Sequence, residues 1–117
     1  MRMQTLKMND RTLVERCFLV TNFFRRFLGL MGRASIGANE ALLFPKCNSI
    51  HTLFMRFPID VVFIQSSGEV LEVIEALPPW RALLPRGKAK HTLEMAAGGC
   101  RAAGLSAGSR LHYEGVF

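Results

Sequence analysis

The sequence predicts a mainly β fold of the α+β class: a compact antiparallel β-sandwich or open barrel of about six or seven strands, with one short helix near residues 22–32. Three observations carry this expectation. Apolar runs of strand length, rich in Val, Ile and Phe, recur along the chain between Gly, Pro and Ser punctuation. A single substantial segment spaces its apolar residues at three and four, the helical period. No linker or low-complexity tract divides the 117 residues, so the chain reads as a single domain, 1–117.

The elements follow in order. Residues 1–8 read as a ragged start or an edge strand. Residues 12–20 are rich in β-formers, and period two places Leu13, Glu15, Cys17 and Leu19 on one face. Thr21 or Asn22 then caps the helix. Its stripe is Phe23, Phe24, Phe27, Leu28 and Met31, with Arg25, Arg26 and Arg33 on the other side and Gly32 as the stop. Residues 40–44 form a buried strand that Pro45 ends, and residues 49–54 are extended. After Pro58, the apolar strand 59–65 turns at Ser66-Ser67-Gly68 into strand 69–75, the clearest hairpin in the chain. Residues 77–89 carry Pro78, Pro79, Trp80, Pro85 and Gly87 and read as an irregular loop, long enough to point to function. Strand 90–96 follows, then a helical turn at 99–103 stopped by Gly104, a turn at 105–109, and a closing strand at 110–116.

Composition narrows the function classes. Half the residues are hydrophobic, which excludes disorder. No apolar run reaches the ~18 residues of a membrane helix. Fifteen Lys+Arg against nine Asp+Glu give a net charge of +6. That balance favours acidic partners, and it equally serves the solubility of a small domain. Cys17, Cys47 and Cys100 are an odd set without a Cys-x-x-Cys pair, which argues against a disulfide scaffold. With no signal peptide visible, the expected location is cytoplasmic.

The densest chemistry lies in residues 49–60, which hold His51, Thr52, Arg56 and Asp60 among apolar side chains. Asp60 opens a strongly apolar strand and needs a partner, because an unpaired buried charge is costly. Arg56 is the natural one, through a bidentate pair across Pro58. His51 fits a general base, a metal ligand or a hydrogen-bonded core residue. Cys47 precedes it by four residues, yet no second pair supplies the three or four ligands of a zinc site, so no metal and no cofactor are expected. As a nucleophile–base pair, Cys47 and His51 would lie ~13 Å apart in an extended segment. Arg33 belongs to a basic helix face around Gly29, which suits either close packing or an anion. Glu94, between Leu93 and Met95 on a strand, faces a polar pocket or solvent. The loop 81–90 holds Arg81, Arg86, Lys88 and Lys90 beside Trp80, without an acid. Such a loop could track a nucleic-acid backbone, but no nucleic-acid motif accompanies it.

The strings Arg26-Phe27-Leu28-Gly29-Leu30-Met31-Gly32-Arg33, Ala41-Leu42-Leu43-Phe44 and Ile50-His51-Thr52 are distinctive. So are Met55-Arg56-Phe57-Pro58-Ile59-Asp60-Val61-Val62-Phe63, Gly68, Thr92-Leu93-Glu94-Met95-Ala96 and Gly108. Over nearly its whole length the chain resembles the uncharacterised family called domain of unknown function 192. The resemblance implies a compact, mostly β domain with a short helix near its start, and no established activity. Many members carry a Trp-Met-Lys-Asn-like string where this chain has His51-Thr52-Leu53-Phe54, so it resembles a His-Thr subgroup.

These readings converge on a small binding module. Its pocket would be lined by His51, Thr52, Arg56, Asp60, Glu94 and Arg33, and would take a small polar or anionic ligand or an extended peptide. Two alternatives stay open. One is a small hydrolase with His51 as general base, oriented by Asp60, although no clear nucleophile or cofactor loop accompanies them. The other is a weak nucleic-acid binder through residues 81–90, which rests on charge alone.

Overall fold

The computed structural model describes residues 2–21, 35–52 and 55–117. The expected helix at 22–32 and Arg33 lie outside the described residues. Nine strands are present among the described residues: β1 (Arg2–Met8), β2 (Arg11–Leu19), β3 (Glu40–Phe44), β4 (Ile50–His51), β5 (Ile59–Ile64), β6 (Val70–Leu77), β7 (Ala82–Leu83), β8 (His91–Ala96) and β9 (Leu111–His112). A short helix, α1 (Gly99–Ala103), follows β8 and ends at Gly104 in the left-handed conformation, as its sequence predicts. Seven strands form one sheet in the order β6-β5-β8-β3-β2-β1-β9, and β4 and β7 form a small second sheet. The fold is mainly β, as expected.

The large sheet curls into a half-barrel. Its edges meet at the Glu69–Arg110 bridge. Val70 N donates to Ser109 O at 2.8 Å and Leu111 N donates to Gly68 O at 2.8 Å. Gly68 is required here. Its φ is 94°, and a Cβ would stand 2.4 Å from the Leu111 carbonyl oxygen. The same glycine turns the β5–β6 hairpin, so one local turn also fixes the long-range closure.

Several expectations need correction. β1 is a full strand paired along its length with β2, and also with β9 at Lys7 and Met8. β2 does not keep period two: Gln4 faces Cys17 but Leu6 faces Val14, so β2 bulges by one residue there. Cys17, Leu13 and Leu19 reach the same core, and Glu15 is exposed. Among the described residues β2 and β3 are parallel, unlike every other paired strand, so a tight hairpin cannot join them. The closing strand stops at His112, because residues 113–117 fold back through Tyr113 N to Phe117 O.

The sheet packs a core on each face. β5 is buried throughout and serves both. Val62 and Ile64 join Cys17, Leu43, Leu93, Met95 and Tyr113 in one core. Ile59, Val61 and Phe63 join Leu42, Phe44, Met55 and Leu77 in the other. Successive residues therefore point to opposite cores, and this parity decides where the polar residues of β5 and β8 fall. Among the described residues no helix is long and apolar enough to cross a membrane.

Candidate functional site

Asp60 is fully buried. Its two oxygens accept backbone N–H groups, from Ala76 at 2.8 Å and from Cys100 at 3.0 Å. Both donors exist for local reasons. Ile59 faces Leu77 while Val61 faces Ile74, so β6 carries an extra residue at Glu75–Ala76. Ala76 sits at φ 49°, and its N–H meets the carboxyl. Cys100 lies in the first turn of α1, where N–H groups lack helical partners, and the N-cap Gly98 has no side chain to supply one. Asp60 thus ties the β6 bulge to the start of α1. The expected Arg56–Asp60 pair is absent: Arg56 is exposed, and the buried carboxyl is satisfied by amides instead.

Thr52 is also fully buried, and its hydrogen bonds are committed. Its Oγ1 donates to Pro78 O at 2.7 Å and accepts from Arg81 N at 2.9 Å. Its N–H donates to Arg81 O, and its carbonyl accepts from Trp80 N and Met55 N. One residue therefore clips the loop 78–81 to the segment after β4. The pairing of Ile50 with Leu83 and His51 with Ala82 extends the clip. The loop 77–89 is accordingly more ordered than its proline content predicts. His51 is half-buried on β4.

Glu94 lies on β8 opposite Val61 and Leu42, within the second core, and burial pushes its carboxyl up to about 8. Asp60 faces Met95 on the other side of the sheet. The two acids are register neighbours on opposite faces, so they do not share a pocket. Pleat parity is the reason. The six residues expected to line one pocket are thus divided, with Arg33 outside the described residues.

The cysteines are all free thiols. Burial pushes Cys17 up to about 12. Burial and the neighbouring Asp60 charge push Cys100 to about 12, and its sulfur lies 3.9 Å from that of Met95. Neither thiol is a nucleophile near neutral pH. Cys47 Sγ donates to Ser49 O at 3.1 Å. Among the described residues no three His, Cys, Asp or Glu side chains gather to hold a metal.

Sequence reasoning missed the seam of the half-barrel. Among the described residues β6 is an edge strand, paired on one side with β5. Beyond the Glu69–Arg110 bridge its outer side opens onto a groove of about 590 Å3 lined by Leu71, Val73, Glu75, Arg101, Leu105 and Ser106. Arg101 spans the rim with two bonds of 3.2 Å to Glu75. No spacing in the sequence links residues 26 positions apart, so this site carried no local signal.

A model of the family described as DUF192, Uncharacterized ACR, matches residues 5–113. The chain belongs to that family. A UPF0127 protein of Pyrococcus furiosus is 39% identical over 98 residues, covering 79% of this chain and 81% of its own. A UPF0127 protein of Thermococcus sibiricus is 38% identical over 98 residues, covering 79% of this chain and 62% of its own. Two solved structures share the DUF192 chain's fold. A Sinorhizobium meliloti protein provisionally named a transcription regulator superposes with TM-score 0.83 at 23% identity, covering 95% of this chain and 93% of that one. A Novosphingobium aromaticivorans protein of unknown function gives 0.79 at 19% identity, covering 95% and 85%.

Proposed function

We propose that this DUF192 chain is a binding module that takes an extended peptide as an added strand along the outer edge of β6. The observation that carries the reading is the groove beside a strand whose second side, among the described residues, has no strand partner beyond the bridge. An open edge presents unpaired backbone donors and acceptors, a ready template for another chain. The opening has defined ends. The Glu69–Arg110 bridge closes one, and the Asp60 tie to Ala76 and Cys100 closes the other. Between them Leu71 to Glu75 offer room for an extended peptide of about five residues, roughly 17 Å. Such a narrow window suits a peptide rather than the edge of a second folded domain.

The side chains define the peptide's chemistry. Val73 and Leu105 supply an apolar seat, and Glu75 with Arg101 supplies a two-signed rim. The favoured peptide has one apolar side chain flanked by polar residues. The alternatives fare less well. A small-ligand pocket built on Asp60 and Glu94 would need both on one face. A hydrolase would need an Asp60 oxygen available to orient His51, and both oxygens accept amides.

A displayed pentapeptide library selected on the intact protein tests the reading. Selected peptides should shift the backbone amide resonances of Leu71–Glu75 and Leu105–Ala107. N-methylation at alternate peptide nitrogens should weaken binding at least tenfold, because it removes strand hydrogen bonds while keeping every side chain. Equal affinity of all methylated analogues, or shifts confined to another surface, refutes strand addition.

A further inference from the structure

The loop that Thr52 clips in place carries features the groove does not use. Trp80 is 58% exposed and Leu84 is 79% exposed. They lie four residues apart, so their Cα atoms are within about 14 Å. Arg81, Lys88 and Lys90 of the same loop are exposed, and no acid occurs from Leu77 to Lys90. Arg86 is the exception among these cations: it pairs with Glu72 at 3.0 Å and lies over the Phe63 ring.

The presentation is rigid. Trp80 adopts φ 65°, a left-handed conformation unfavourable for a bulky residue. Thr52 holds it there, through the Trp80 N–H and the adjacent Arg81 N–H. The β4–β7 pairing and the bond from Arg86 N to Asn48 O hold the far side. Strain retained at an exposed aromatic is a mark of function.

We propose that this loop docks the protein on an anionic lipid surface. Trp80 and Leu84 enter the headgroup boundary, and Arg81, Lys88 and Lys90 meet lipid phosphates. A tryptophan suits the interface, with an apolar body and a polar N–H. The cations are attracted to a negative leaflet over a Debye length. A nucleic acid fits less well, because it would use one stacking aromatic and leave Leu84 in water. The loop touches the β6 groove through Arg86 and Glu72, but Trp80, Arg81, Leu84, Lys88 and Lys90 do not line it, so the two readings are tested on different residues.

Trp80 is the chain's single tryptophan, so its emission reports on the loop directly. The test mixes the intact protein with phosphatidylcholine vesicles, with or without about 30% phosphatidylserine, the anionic lipid that gives the leaflet its negative potential. The expected result is a blue-shifted emission and co-sedimentation with the anionic vesicles only, reversed by high salt. Replacing Arg81, Lys88 and Lys90 together by Gln should lower partitioning about a hundredfold. W80A/L84A should abolish co-sedimentation, with an unchanged circular dichroism spectrum as the folding control. Unshifted emission without co-sedimentation of the wild type overturns the proposal. So does equal binding to neutral vesicles, or wild-type partitioning by the triple Gln variant. Quenching of Trp80 by a single-stranded oligonucleotide, with vesicles inert, assigns the loop to nucleic acid instead.

Discussion

Glu94→Gln isolates the buried acid of the second core. Burial raises Glu94 from 4.5 to about 8, so the folded chain holds a proton there that the unfolded chain releases. The folded state binds more protons between those values, so stability falls as pH rises through that interval and levels off above it. The slope is about 1.4 kcal/mol per pH unit, and the whole interval integrates to about 5 kcal/mol. Gln has the same shape and no charge at any pH. Urea unfolding followed by circular dichroism from pH 5 to pH 8 should show wild-type stability falling by about 4 kcal/mol relative to a flatter Glu94→Gln curve. Near pH 8 the variant should be the more stable protein by about 2 kcal/mol, after the cost of burying its amide. His91, lowered by burial and then by the Lys90 charge, acts with the opposite sign. Its contribution is lost as pH falls below 6.5, in both proteins alike, and cancels in the difference. Cys17 and Cys100, raised to about 12, stay protonated across this window. Parallel curves for wild type and variant would refute the assignment of Glu94 to an uncharged, buried state.

Three further substitutions test the structural ties. Asp60→Asn should destabilise the fold by about 3 kcal/mol in urea unfolding, because one amide donor of Ala76 or Cys100 then faces an NH2 group; a midpoint within error of wild type would contradict the tie. Thr52→Val should cost about 2 kcal/mol and speed amide exchange at Trp80 and Arg81, whereas Thr52→Ser should preserve both; equal exchange in the Val variant would remove the clip. Gly68→Ala should cost more than about 3 kcal/mol, since it adds strain at φ 94° to a clash with Leu111; a stable variant with unchanged amide protection at Val70 and Leu111 would show that the seam is held elsewhere.

The parts legible in sequence are the local ones. The β5–β6 hairpin follows from two apolar runs and a Ser-Ser-Gly turn, and α1 from a helical turn ended by Gly104. Parity was legible only where the strand is regular. On β2 a bulge reversed it beyond Cys17, and Glu15 went to solvent. Asp60 was rightly singled out as needing partners, yet its donors lie 16 and 40 residues away. One of them depends on the β6 bulge, which nothing in the composition of that strand announces. The nearby arginine was the obvious partner by spacing, and backbone amides displaced it.

The bulge that reverses β6 also explains how a half-barrel can close without filling its seam. Paired regularly to its end, β6 would keep Ala76 N–H in the ladder, and Asp60 would be a buried carboxyl with one donor fewer. The extra residue turns that N–H onto Asp60, whose other oxygen then draws in the start of α1. The helix is therefore held against the sheet at one point, while the Gly68–Leu111 contact holds the opposite end of the same edge. A sheet edge pinned at both ends, with no strand paired to it between them among the described residues, opens onto a groove. On this argument the groove is a consequence of satisfying one buried acid through the backbone. If β6 takes a peptide as proposed, Asp60→Asn should weaken the binding of a selected pentapeptide even though Asp60 lines no part of the groove.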